Sequence, residues 1–287
     1  MIGTLVATIP GGYRVNGVRC HQVRLRELTG EDQIFLIDTV GQLPPAQWTT
    51  EVLHRCIAGL ERGEGVSREQ VRSLSVGDRE ALLLQLRWLS LGDPLACVLN
   101  CPTPECQEKL DLELRTSDLL QSALPVQVDA HEVQLKDGDA TCSVRFRLVT
   151  GQDQEAVVEL ARSDHRAAAD VLLRRCVESV VSTGAAIEEL RSAMREQLSD
   201  LMSELDPQAE VRLNVTCSAC GRAFEALFDV ASYLFRELQV GMRNLLHEVH
   251  LLAYHYHWGL AEILGMSART RHQFLRLLEA ELAGAGG

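Results

Sequence analysis

The stretch V-R-L-N-V-T-C-S-A-C-G-R-A-F-E-A-L-F-D-V-A-S-Y-L, Val211 to Leu234, decides how the rest of the chain is read. An apolar-alternating strand enters Cys217-x-x-Cys220-Gly221, a second alternating strand over Ala223 to Phe228 leaves it, and Asp229 stands where a helix cap belongs. Two cysteines in a tight turn between strands form a zinc knuckle, with Gly221 freeing the backbone to wrap a metal. One knuckle supplies two ligands, so two more are needed. They lie upstream in V-L-N-C-P-T-P-E-C-Q-E-K-L-D-L-E-L-R-T-S-D-L-L, Val98 to Leu120, where Cys101 and Cys106 again sit between alternating strands.

Working outward, more than the knuckle recurs. Asn16-Gly17 marks a hairpin near the start, and Pro10-Gly11-Gly12 reads as a turn before it. The chain changes character over Leu28-Thr29-Gly30-Glu31-Asp32-Gln33, and Ile34 to Val40 looks helical. Trp48 to Gly63 carries Val52, Leu53, Cys56, Ile57 and Leu60 at helical spacing. Asp78 is the expected cap of a helix to Leu91, with Leu82, Leu86 and Leu89 inward, stopped by Gly92 and Pro94. After a link over Leu119 to Pro125 the order returns. A hairpin signal at Lys136-Asp137-Gly138-Asp139 precedes Thr150-Gly151-Gln152-Asp153, about 120 residues after its counterpart. Val171 to Val181 places Cys176 where Cys56 stood, and Leu198, Leu201, Met202 and Leu205 form a face ended by Asp206-Pro207. Ordered recurrence favours tandem duplication. The expected fold is α+β: a first lobe over 1–125, a second over 126–229, and a C-terminal helical extension over 230–287. That extension breaks near Trp258-Gly259, and Ser267 caps its last helix, whose inner face is expected to hold Phe274, Leu277 and Leu278. Its apolar side is expected to pack on the second lobe, with the Tyr254 to Trp258 end offered to a partner.

The chain has 287 residues, ample for a sizeable core, and a formal charge of −12, which opposes binding to a phosphate backbone. No long apolar run spans a membrane, and no export signal is visible, so a cytoplasmic setting with reduced thiols is expected for the nine cysteines. Cys101, Cys106, Cys217 and Cys220 match a closed structural zinc site, since four soft thiolates complete the tetrahedron and leave no catalytic position. A thioredoxin-like reading of Cys217 and Cys220 fails because that motif needs a helix N-terminus, and strands flank this one. His247, His250, His255 and His257 invite a second metal reading, but the residues lack a zinc-protease spacing and read as amphipathic histidines that pack and hydrogen-bond near a helix end. Cys20, Cys56, Cys97, Cys142 and Cys176 read as small core residues. With no phosphate loop, nucleophile elbow or catalytic carboxylate pair in the sequence, a non-enzymatic role is expected.

Several short motifs carry a resemblance. Leu25-Arg26-Glu27-Leu28-Thr29-Gly30, Gly77-Asp78-Arg79, Leu91-Gly92-Asp93, both knuckles and Ala223-Phe224-Glu225 look like the T-even-phage-type baseplate protein family. Glu248-Val249-His250, Tyr254-His255-Tyr256-His257-Trp258 and Glu262-Ile263-Leu264 are similar to its helical tail. The resemblance spans most of the chain. It implies a non-enzymatic component or assembly factor of the baseplate hub, in a contractile phage tail or a tail-like injection system. Its partners would be other baseplate or hub proteins, not nucleic acid, membrane or a small-molecule substrate. The alternative is a zinc-ribbon nucleic-acid-binding or regulatory protein, which the acidic charge opposes.

Overall fold

The computed structural model describes residues 3–15, 17–60, 63, 65–121, 128–137, 140–181 and 192–285. Strands β1 (Thr4–Val15) and β2 (Val18–Arg26) form the first hairpin, turning at Gly17, where φ is +81°. Pro10-Gly11-Gly12 is a bulge inside β1 rather than a turn, and the register shifts between Thr8 and Tyr13. Helix α1 (Gly30–Ile34) continues into a π-helical turn over Phe35–Thr39, and α2 (Pro45–Cys56) leads without a loop into β3 (Ile57–Leu60). The expected helix to Gly63 therefore stops at Cys56. Ile57 pairs with Leu25 on β2, and that sheet contact overrides the helical spacing.

Helix α3 (Arg68–Ser73) precedes α4 (Val76–Leu91), which is capped by Ser75, not Asp78. The Ser75 side chain accepts the Asp78 amide at 3.1 Å, which puts Asp78 inside the first turn. Leu82, Leu83, Leu84 and Leu86 are all fully buried, because α4 lies between β1, α2, α8 and α10 rather than presenting one face. The first knuckle follows as β4 (Pro94–Asn100) and β5 (Lys109–Arg115). The expected boundary between lobes, at 125/126, falls outside the described residues.

The same sequence of elements then recurs. Strands β6 (His131–Asp137) and β7 (Ala140–Phe146) pair, α5 (Gly151–Ser163) and α6 (His165–Cys176) follow, and β8 (Val177–Val181) adds to β7. The segment Val171 to Val181, read as the counterpart of the one around Cys56, is likewise helical only to its cysteine, with Val177 pairing to Phe146. Both sheets are three-stranded and antiparallel, ordered β1-β2-β3 and β6-β7-β8. Helix α7 (Ser192–Leu205) and the second knuckle, β9 (Arg212–Thr216) and β10 (Ala223–Leu227), complete the series. The extension comprises α8 (Val230–Tyr256), α9 (Leu260–Leu264) and α10 (Ala268–Ala285). Asp229 caps α8, accepting the Ser232 amide at 2.9 Å, and His257 ends that helix in a left-handed conformation.

One buried motif marks the correspondence between the two series. Asp32, 1% exposed, receives Arg26 and Arg55 and closes a capping box with Thr29. Asp153, also 1% exposed, receives Arg147 and Arg175 and closes one with Thr150. In each series the next residue after the second arginine is a fully buried cysteine, Cys56 or Cys176.

The apolar cores do not follow the two series. A large cluster joins the first sheet, α2, α4 and the first knuckle to Val211, Leu213 and Val215 of the second knuckle and to the start of α8. A smaller cluster holds Leu135, Val144, Phe146, Leu198 and Met202. The extension packs on α1, α2 and α4, which corrects the expectation that it lies on the second lobe. Arg271, 1% exposed, binds Glu248 at 2.7 Å and Gln33 of α1 at 3.1 Å, while Thr29 bridges Ser267. Leu278 is buried as expected, but Leu277 is 57% exposed, because Arg271 and Leu278 define the inner face of α10.

Candidate metal centre

Each knuckle is a two-stranded ribbon whose turn presents sulfur. In the second, Cys217 N–H donates to Arg222 O at 2.9 Å and Gly221 N–H to Cys217 O at 2.9 Å, with Gly221 at φ +74°. In the first, Cys101 N–H donates to Glu108 O at 2.8 Å, and the amides of Cys106 and Gln107 both donate to Thr103 O. Gln107 takes the left-handed conformation that Gly221 takes, at φ +49°. That conformation is strained for a residue with a Cβ. The wider spacing thus inserts two residues before an otherwise similar turn, and both second cysteines end up at corresponding places.

The four sulfurs converge, all lying within 4.8 Å of one another. Cys101 Sγ is 3.7 Å from Cys220 Sγ, and Cys106 Sγ is 3.8 Å from Cys217 Sγ, so the close pairs run across the knuckles. A tetrahedral ion with metal–sulfur bonds of about 2.3 Å separates its sulfurs by about 3.8 Å. The spacing fits such an ion. Cys101 and Cys217 are buried and Cys220 is exposed, leaving one side of the cluster open to solvent.

Electrostatics agree with the geometry. Hydrogen bonds from the Thr103 side chain and amide draw the Cys101 thiol down to about 6. Cys106 receives a hydrogen bond from the Glu108 backbone, which lowers it, but burial and the neighbouring sulfurs push it up to about 12. Four adjacent thiols cannot ionise together unless a cation offsets their charge. The core cysteines differ. Burial pushes Cys56 up to about 12 and Cys176 up to about 11, the behaviour of inert thiols.

The side chains that bring the knuckles together carry no motif in the sequence. Asp206, just before β9, accepts the Gly77 amide of α4 at 3.0 Å. Gln208, 1% exposed, accepts the Gln121 amide at 2.7 Å and donates to Leu119 O at 3.3 Å. Arg87, 4% exposed, ties the end of α4 to Pro94 O, Thr116 and Glu237 of α8. Asp206 was legible only as a helix stop, and nothing distinguishes Gln208 from any surface glutamine. His247, His250, His255 and His257 are all exposed on or just beyond α8, and among the described residues the grouping that could hold a metal is the cysteine cluster. Cys20 and Cys142 are buried as expected, whereas Cys97 is only half-buried. Tyr256 and Trp258 stack at 4.7 Å and close on Phe274 of α10, whereas Tyr254 is 69% exposed.

Compared with known families, residues 8–235 match the family model described as T4 bacteriophage base plate protein. The match contains both knuckles and the first turns of α8. No curated protein and no solved structure gives a significant match. No helix among the described residues is long and apolar enough to cross a membrane.

Proposed function

This chain belongs to the T4 bacteriophage base plate protein family, and from that premise we propose that it builds or helps assemble the baseplate hub of a contractile tail or tail-like injection system. Its work is to bind other baseplate proteins, without turnover of a substrate. The family match over both series of elements is the observation that carries this reading. The buried charged groups suit it, because Asp32, Asp153, Glu248 and Arg87 are spent on joining elements. Deleting the gene tests it: sheath and tube subunits should be made but not joined into complete particles. Normal particles in the deletion strain refute an essential assembly role. Mass spectrometry of purified particles then separates a resident component from a factor that leaves.

Within that role the cysteine cluster holds a structural zinc ion. Cys101, Cys106, Cys217 and Cys220 supply four thiolates, a soft closed set with no open position. The ion pins two knuckles more than a hundred residues apart in sequence and keeps the second against the first core. Elemental analysis of the purified chain checks this, and a content well below one zinc per chain removes it. The recurring elements support a duplicated unit over 1–125 and 126–229, with 230–287 added. A zinc-ribbon nucleic-acid binder remains the competing reading, and the net charge of −12 opposes it. Saturable DNA binding at low salt would favour that alternative.

A further inference from the structure

We propose that the groove between the first knuckle ribbon and α8 is the docking site for a basic amphipathic helix of a partner protein. The inference rests on the reading of the chain as a protein-binding component and names the chemistry of one partner. The groove has a volume of about 970 Å³ and runs beside α8 from Tyr233 to Asn244. Eleven residue steps along a helix span about 17 Å, roughly three turns, so an occupant of similar length fits alongside.

Its lining is unusual for a surface. Leu91, Val98, Leu227 and Val240 all border it and are 37%, 59%, 66% and 72% exposed. Scattered apolar residues on a surface call for no explanation, but four around one concavity mark a contact surface. They come from α4, β4, β10 and α8, so this concavity exists only because the knuckles have converged on the start of α8. Cys97 and Leu112 lie half-buried in the same lining.

Charge selects the occupant. Asp111 and Glu113 project from exposed positions of β5, and among the described residues neither enters an ion pair. Asp229 adds a third carboxylate, while Arg87 is neutralised by Glu237. Among the described residues of the lining, Arg236 is then the one cation left to oppose three acids. An apolar trough with an acidic rim fits a helix with apolar residues at i, i+3, i+4 and i+7 and lysine or arginine on its flanks. A second copy of this chain is a poor occupant, because it brings a net charge of −12 to the same rim.

Gly241 supplies the test. A Cβ there meets nothing within 4 Å and Gly241 lines the groove, so Gly241→Trp is the substitution chosen to block it. The full chain is titrated with a labelled 14-residue Leu/Lys amphipathic helix and with its Leu/Glu counterpart, read by fluorescence anisotropy. Gly241→Trp and Val240→Lys are compared with the wild type after their unfolding curves have been matched. The expected result is saturable binding of the Lys helix, weakened by salt and at least tenfold by each variant, with no binding of the Glu helix. Absent binding, equal binding of the two helices, or affinity unchanged in both variants overturns the proposal. So does sedimentation that shows a wild-type dimer which both variants dissociate, because a second copy would then fill the groove. The peptide titration reads the groove alone, whereas particle assembly in the deletion strain reads the hub role, so the two fail separately.

Discussion

Buried cysteines and buried carboxylates each divide into two kinds that behave differently under substitution and pH. Cys217 and Cys176 are both buried, yet one sits in the sulfur cluster and the other in the second core. Cys176→Ser places a hydroxyl in a packed site, at a cost of about 1–3 kcal/mol. On the proposed zinc site, Cys217→Ser also forfeits the ion, whose binding free energy would be part of folding free energy, so its denaturant midpoint should fall further and zinc should no longer co-purify. Equal midpoints with zinc retained would remove Cys217 from the ligand set. Asp153 and Asp78 give opposite pH dependences. At Asp153, desolvation would raise the carboxyl, but hydrogen bonds from Arg147 and Thr150 outweigh it and hold it at about 2. The resulting stability, about 2 kcal/mol, is present above pH 4 and lost as pH falls through 2. Asp78 is fully buried; desolvation pushes it to about 7, nearby Asp206 adds to the rise, and among the described residues its Oδ2 has no hydrogen-bond partner. Its folded state holds the proton more tightly than the unfolded chain, so stability should fall as pH rises from 4 to 7. Asp78→Asn keeps an oxygen for the Gly11 amide, now bound at 2.6 Å, and should be the more stable protein at pH 8. A variant less stable than wild type at pH 8 would contradict this account.

At the scale of elements, the repeated Thr-Gly pair has a packing explanation. Gly151 opens α5 directly under the buried Arg79, where a Cβ would lie 1.4 Å from Nη1, and Gly30 opens α1 against Leu264 of α9. Each first turn is crossed by another element, and only glycine leaves room. Arg79 is 1% exposed and holds Ala46 O and Thr50, so it cannot swing aside cheaply. Gly151→Ala should therefore cost on the order of 1–3 kcal/mol, read as a lower melting temperature, by the logic of overpacking. An unchanged melting temperature would show that Arg79 yields. The extension answers to the same reasoning. Truncation after Leu238 removes Leu245, Leu252 and Ile263, each at most 1% exposed, and strips Arg271 from Gln33. At about 1.5–3 kcal/mol for each buried side chain, the loss is a large part of a domain's stability. The truncated chain should lose its cooperative thermal transition, and a folded, cooperative product would make the extension a true appendage.

For the whole molecule, the proposed zinc would pin the second knuckle to a core that it already shares through Val211, Leu213 and Val215. Because Cys220 is exposed, a strong chelator has access, and its addition should raise hydrogen exchange in β9 and β10 before it affects β1 and β2. Uniform exchange, or none, would argue against an ion that pins the second knuckle. Sequence by itself determined the local units. Both cysteine turns, the Asn-Gly hairpin signal, the Asp229 cap and the repeat of Thr-Gly-x-Asp were legible because each depends on residues within a few positions of one another. The recurrence of those units, and the resemblance to a baseplate family, followed from the same short-range patterns. Tertiary structure alone decided where helices ended and which core received each unit. Cys56 and Cys176 close their helices because Ile57 and Val177 find strand partners on distant hairpins, a pairing no local spacing encodes. The second knuckle joins the first core through Asp206 and Gln208, and the extension lies on α1 and α4 through Arg271. These are single polar side chains whose partners are far away in sequence, and burial gives them a role that composition and periodicity cannot show.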